Sequence, residues 1–192
     1  MITLAAVRRA LRDHRPQLAD APGASPAAVA LILVEDTNGL EALFIRRAER
    51  AGDPWSGQVA LPGGRHEPED PDLLATAIRE TREETRVDLA AAERLGALDD
   101  LYPRTPTLPP VVVRPFVFAL ARRAALAPSD EVQRAFWLPL RRLAEPGVRR
   151  ELTLTVRGVE RTFPAYLVTD DELIWGMTER ILTPFLDLVA QL

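Results

Sequence analysis

The chain has 192 residues, enough for one domain with a sizeable core, and its 47% apolar and 27% charged content is ordinary for a soluble globule. Its 24 basic and 28 acidic residues leave a net charge of −4, so no global positive field draws it to nucleic acid. Every basic residue is arginine and cysteine is absent, which excludes lysine Schiff bases, a P-loop lysine, disulfides, thiolate zinc sites and thiol nucleophiles.

In chain order, the opening ITLAAVRRALRDHR sets Leu4, Val7 and Leu11 at helical spacing with arginines between, and predicts an amphipathic helix ended near Pro16. It lacks the hydrophobic core of a signal peptide, and no apolar run approaches the roughly 18 residues that span a membrane, so a cytoplasmic protein without membrane association is expected. After the flexible segment ADAPGASP, Ala27 to Val34 is an apolar run of strand length. Glu41 to Arg47 reads as its hairpin partner across an Asp36-to-Gly39 turn. Gln58 to Leu61 is a short strand feeding Gly63 and Gly64, which let the backbone turn tightly and approach a ligand closely.

The stretch Leu61 to Val87, LPGGRHEPEDPDLLATAIRETREETRV, carries the strongest signal. At about 100° per residue, Glu80 and Glu84 lie about 40° apart and Glu83 about 60° to the other side of Glu80, so one solvent-facing side of the helix presents three carboxylates. Leu74, Ala77, Ile78, Thr81 and Thr85 gather roughly 120° away as the stripe that docks on a sheet. Arg79 stands four residues before Glu83, the spacing of an ion pair that fixes one carboxylate's rotamer. Asp70 is the candidate cap, with Pro71 in the first turn. Three clustered carboxylates suit a hard divalent cation such as Mg²⁺, which takes oxygen ligands together with the phosphates of a substrate. Only His14 and His66 are present, too few for a histidine-rich metal centre; a solvated or substrate-touching role is expected of His66.

Past this helix, Arg94 to Leu101, Val111 to Leu120 and Val132 to Leu138 read as strands, separated by PRTPTLPP and APSD. Leu152 to Val156 and Phe163 to Val168 predict a further hairpin with Gly158 in its turn. A final helix from about Trp175 to Val189 places Ile181, Phe185 and Leu188 in the core. Of the adjacent Arg46 and Arg47, alternation lets only one face a cleft, where it would grip phosphate bidentately. Trp55 could stack against a substrate, or anchor its loop by packing.

These residues bring a resemblance into view. GG followed by R-E-x-x-E-E resembles the Nudix box, G-x5-E-x7-R-E-U-x-E-E-x-G-U, with Arg79, Glu80, Glu83, Glu84 and Val87 in matching places. Arg86 replaces the last glycine, and fourteen residues rather than thirteen separate Gly64 from Arg79, which leaves the upstream acid open between Glu69 and Asp70. That lengthening, with T-A-x-R-E-T-x-E-E and the upstream LFIRRAERAGDPWSGQVALPGG, resembles the coenzyme A pyrophosphatase branch of the Nudix hydrolases. Trp55 and Ser56 depart from that branch's usual approach to Gly57. EVQRAFWLPL and IWGMTERIL are similar to the family's late strand and closing helix.

The resemblance implies a single Nudix domain over 1–192, an α/β/α sandwich with a central mixed β-sheet, in which 1–25 is an N-terminal helix and linker and 26–190 the core. It implies a pyrophosphohydrolase dependent on Mg²⁺ or Mn²⁺, cleaving coenzyme A or its derivatives to adenosine 3′,5′-bisphosphate and 4′-phosphopantetheine. Glu80, Glu83, Glu84 and Gly64 would hold metal, Glu80 and Glu84 would act in catalysis with Arg79 orienting them, and Glu131 is the candidate base from outside the box. Arg47, Trp55 and Gly63 would meet the substrate. Homodimers are common in the family. The alternatives are another nucleoside diphosphate derivative as substrate, such as NADH, ADP-ribose, a dinucleoside polyphosphate or a nucleoside triphosphate, or a Nudix-like module that binds without turnover. The missing cysteine sets aside isopentenyl diphosphate isomerase, whose box is similar.

Overall fold

A computed structural model of the chain describes residues 2–37, 39–49, 56–103, 109–156, 158–169 and 172–191. The expected N-terminal helix is α1, Leu4–Asp13, started by the Thr3 hydroxyl accepting from the Ala6 N–H at 3.2 Å; it buries Leu4, Val7 and Leu11. Strands β1 (Ser25–Asp36) and β2 (Gly39–Arg47) form the predicted hairpin, with Asp36 opposite Gly39. β3 (Val59–Ala60) pairs with the end of β2, and β4 (Gly63–Arg65) pairs with the start of β1. The carboxylate helix is α2, Leu73–Thr85, followed by β5 (Glu93–Ala97), β6 (Val111–Leu120) and β7 (Val132–Pro139). A second hairpin, β8 (Arg149–Val156) and β9 (Val159–Thr169), takes β10 (Glu172–Trp175) as a third strand before α3, Gly176–Ala190.

The first seven strands make one mixed sheet in which β1 lies parallel to β6 over ten registered pairs and every other pairing is antiparallel. Alternation along β1 sorts the core into two layers. Ala28, Ala30 and Ile32 pack with Ala77 of α2, whereas Ala27, Leu31 and Leu33 pack with Val7 and Leu11 of α1 and Ile181, Leu182 and Phe185 of α3. This is the expected α/β/α sandwich. Leu31, Ile32 and Leu33 are fully buried, each contributing about 1.5–3 kcal/mol of apolar transfer.

One edge of β1 follows β6 along its whole length, but the other is shared. β2 takes the C-terminal half, β4 takes Ala27 to Val29, and the Ala30 N–H between them donates to the Pro62 carbonyl at 2.8 Å. β4 lay outside the sequence expectation because its glycines read as a turn. The same strand brings the double glycine flat against the sheet, beneath α2.

Two helix boundaries differ from expectation. The N-cap of α2 is Asp72, whose carboxylate accepts from the Ala75 N–H at 2.8 Å, rather than Asp70, and Pro71 precedes the helix. Asp70 is drawn away by an ion pair described below. At the other end Arg86, in the place of the box's last glycine, adopts a left-handed conformation with φ 62°, the only non-glycine residue to have positive φ among those described. A side chain there costs about 1–2 kcal/mol, partly offset by the roughly 0.5–1 kcal/mol of backbone entropy that glycine loses on folding. Arg86→Gly is therefore expected to stabilise the protein by about 0.5–1 kcal/mol, read as a higher denaturant midpoint at unchanged slope.

α3 begins at Gly176, after β10 has used Trp175, and Leu188 is only half-buried. The helix is fixed to the small sheet by a buried carboxylate: Glu179 accepts from Arg149 at 3.1 and 2.9 Å and from the Thr183 hydroxyl at 2.8 Å. Arg134 of β7 pairs with Glu172 of β10, tying the small sheet to the large one. No helix among the described residues is long and apolar enough to cross a membrane.

Candidate active site

Where the edge of β1 changes hands, a cleft of about 330 Å³ opens. Arg47, Gln58, Gly63, Gly64, Glu80, Glu84 and Glu131 line its polar part. Segments far apart in sequence meet here because β4 and α2 enclose one side and the ends of β2 and β7 the other. The Ala48 N–H donates to the Glu131 carbonyl at 2.9 Å, and the Ser129 N–H to the Glu84 carbonyl at 3.1 Å. The loop carrying Glu131 is thus registered on the C-terminal end of the acid helix.

Arg79 organises the helix. Its guanidinium grips Asp70 with two bonds, Nε to Oδ1 at 2.9 Å and Nη2 to Oδ2 at 3.0 Å, and Nη2 also donates to the Arg65 carbonyl of β4 at 3.1 Å. Nη1 reaches Glu80 at 3.1 Å and Glu83 at 3.3 Å. Asp70 is buried and also accepts from the Thr76 hydroxyl at 2.8 Å and the Glu67 N–H at 3.1 Å. Hydrogen bonding to Arg79 above all holds its carboxyl well below the usual carboxylate range, and the partnership raises Arg79 above its own. Of the two upstream acids, then, Asp70 engages the helix and Glu69 is exposed. His66 is half-buried with Nδ1 3.0 Å from the Thr76 hydroxyl, in this network rather than in solvent or in the cleft.

The three glutamates do not stay together. Glu80 and Glu84 turn into the cleft, while the Glu83 side chain is 58% exposed and held outside by Arg79. Among the described residues no group of three or more His, Asp or Glu side chains converges on one point. Glu84, expected to face solvent, is 4% exposed, its Oε2 accepting from the Gly63 N–H at 2.9 Å and its Oε1 3.8 Å from Arg47. Burial pushes its carboxyl up to about 8; repulsion from Glu80 and Glu131 adds to this, and Gly63 and Arg47 offset only part. Burial likewise raises Glu80, against the pull of Arg79.

Two carboxylates held in one cleft with too little compensating charge fit a divalent cation. The glycines fit as well, since a Cβ on Gly64 would overlap the Glu80 carboxylate and a side chain on Gly63 would overlap the Ala28 carbonyl. A pH dependence follows. The raised Glu84 carboxyl binds a proton in the folded protein that the unfolded chain has released, so metal-free stability is full below about 4.5 and declines as pH rises through about 8. Thermal denaturation with a chelator across about pH 4–9 should show the decline, and Mg²⁺ or Mn²⁺ should reverse it.

Of the other expected residues, Arg47 lines the cleft and Arg46 is half-buried beside it. Gly63 is at the wall, but its N–H is engaged by Glu84. Glu131 is exposed at the rim, and Trp55 lies outside the described residues. The cleft's apolar wall, made by Ala27, Val29, Val111, Val113, Met177 and Ile181, had no counterpart in the sequence reading. Val111 to Leu120 reads as a strand, but nothing local says that one of its faces meets α3.

A mixed sheet between one helix and a pair of others, with paired acids on the single helix over a double glycine, defines a class. The family model described as NUDIX domain matches residues 24–157, and the chain belongs to that family, the Nudix hydrolases. Enzymes of this family generally use divalent metal ions. Among curated relatives, the mitochondrial coenzyme A diphosphatase NUDT8 of Homo sapiens is 31% identical over 95% of this chain and 76% of its own length. An uncharacterized protein of Schizosaccharomyces pombe is 35% identical over 66% of this chain, which spans 40% of that longer protein. Among solved structures, a MutT/nudix family protein from Enterococcus faecalis shares the fold with a TM-score of 0.61, at 20% identity, over 98% of this chain and 70% of its own.

Proposed function

We propose that the protein is a Mg²⁺- or Mn²⁺-dependent pyrophosphohydrolase that cleaves the diphosphate of coenzyme A or its derivatives to adenosine 3′,5′-bisphosphate and 4′-phosphopantetheine. The observation that carries the chemistry is the undercompensated pair of carboxylates beside Arg47, Glu84 buried and Glu80 half-buried. Likeness to a coenzyme A diphosphatase over nearly the whole chain supports the substrate.

Glu80 and Glu84 would hold the cation together with the backbone at Gly64, and Glu83 would join after rotating its side chain away from Arg79. A divalent cation bound there neutralises charge on the diphosphate oxygens and acidifies an attacking water. Arg47 binds a phosphate oxygen from the β2 side, its guanidinium offering two parallel donors. Arg79 orients Glu80 through the 3.1 Å bond and anchors the helix through Asp70. Glu131, at the rim and tied by its backbone to Ala48, accepts the proton of the attacking water. Water adds at one phosphorus, the bridging oxygen leaves with the other, and each half keeps one phosphate monoester from the diphosphate, giving adenosine 3′,5′-bisphosphate and 4′-phosphopantetheine.

Hydrolysis of coenzyme A, acyl-coenzyme A, NADH, ADP-ribose, diadenosine polyphosphates and nucleoside triphosphates, with each metal and with products resolved by mass, tests this. Selective release of adenosine 3′,5′-bisphosphate supports the proposal. Preference for another diphosphate keeps the chemistry and overturns the substrate, and no turnover with either metal would leave a binding module.

A further inference from the structure

The cleft continues past the acids. Beyond the Gly63–Gly64 edge it passes onto the other face of the sheet, where Arg65 of β4, Ala27 of β1 and Val113 of β6 are successive register partners. Directly opposed residues present their side chains to the same face, and Ala27 and Val113 belong to the layer packed by α3. Arg65 therefore stands on the α3 side, while its neighbour Gly64 faces Glu80 on the α2 side. Val29, Val111, Met177 and Ile181 continue this wall without a charge.

Among the described residues, two cations line the cleft, Arg47 and Arg65. Arg47 is half-buried beside Glu84, within the acid part. Arg65 is exposed at the edge of the apolar part, and its side chain makes no ion pair or hydrogen bond among the described residues. Only its backbone carbonyl is engaged, by Arg79, which fixes the strand while leaving the guanidinium available.

We infer that Arg65 determines specificity by binding a phosphate monoester on the ribose of the nucleotide half, while the base lies on the apolar wall under Met177 and Ile181. The inference rests on the coenzyme A reading, since coenzyme A carries a 3′-phosphate separate from its diphosphate. A phosphate monoester at neutral pH carries nearly two negative charges and three acceptor oxygens, and a guanidinium matches it with two parallel bonds. Arg65 is one residue from Gly64, so the second phosphate is met within one side chain's length of the acids. A nucleotide without that phosphate loses this contact and keeps every other.

The test compares coenzyme A with dephospho-coenzyme A, which lacks only the 3′-phosphate, for the native protein, Arg65→Gln and Arg65→Lys. The native protein should prefer coenzyme A by about 10- to 100-fold in kcat/KM, the span of one charge-assisted contact. Arg65→Gln should bring the ratio close to one, mainly through KM for coenzyme A, and Arg65→Lys should restore part of it. A ratio that persists in Arg65→Gln, or an equal fall on both substrates, overturns the role of Arg65 and leaves the coenzyme A reading intact. Turnover of neither substrate by the native protein overturns that reading, and the inference with it.

Discussion

Glu84→Gln is expected to abolish turnover, by at least about 10³-fold in kcat, while raising the stability of the metal-free protein. Glutamine is nearly isosteric with glutamate and its amide oxygen still accepts from the Gly63 N–H, so the contact at 2.9 Å survives. The charge does not survive, and a hard cation loses an anionic ligand; removal of a single electrostatic contact of this kind costs about 10²–10³ in rate before any loss of metal occupancy is counted. The stability gain has the same source. A carboxyl that burial pushes up to about 8 destabilises the fold whenever it is ionised, and its amide cannot ionise. Steady-state rates with saturating Mg²⁺ and Mn²⁺, alongside melting curves with chelator across about pH 4–9, measure both halves. Full activity in the variant would remove Glu84 from the site; a cooperative melt that kept the native pH slope would show that another group causes it.

The second large effect separates two adjacent glycines. At Gly63, φ is +151° and an added Cβ would meet the Ala28 carbonyl and the Val29 backbone, neither of which can move without breaking the β1–β4 ladder. Gly63→Ala is expected to cost about 3–5 kcal/mol, combining backbone strain with overpacking, and to lower the melting temperature by about 10 °C. At Gly64 the Cβ would meet only the Glu80 carboxylate, the far end of a flexible side chain. Gly64→Ala should therefore hold its stability to within about 1 kcal/mol and lose activity as Glu80 is displaced. Equal melting temperatures for the two variants would refute the assignment of one glycine to the fold and the other to the site.

Much of the scaffold could be read before folding because its signals are local. An apolar run marked β1, breaker segments marked off β6 and β7, helical spacing marked α1, α2 and α3, and Asp36 to Gly39 marked the hairpin turn. What stayed hidden depended on partners distant in the chain. The burial of Glu84 comes from β4 lying beneath the helix, and nothing in R-E-x-x-E-E reports how closely a strand will approach. Asp70 looked like a helix cap because aspartate before proline usually is one; its bidentate bond with Arg79, nine residues on, proved the stronger claim. Arg65 carried no signal of its own, since its place opposite Ala27 follows only from the register of a three-residue strand.

Glu83 and Glu84 lie in the last turn of α2, at the negative end of the helix macrodipole. Acids in that position are disfavoured by about 0.3–1 kcal/mol each, and Arg82 is the only basic residue in the same turn. The helix therefore ends in a field that repels its own side chains and attracts a cation. Folded without metal, α2 should fray first at Glu83 to Thr85, and hydrogen exchange of those amides should slow when the ion binds. On the proposed function, metal occupancy would set the order of this helix as well as the chemistry beside it.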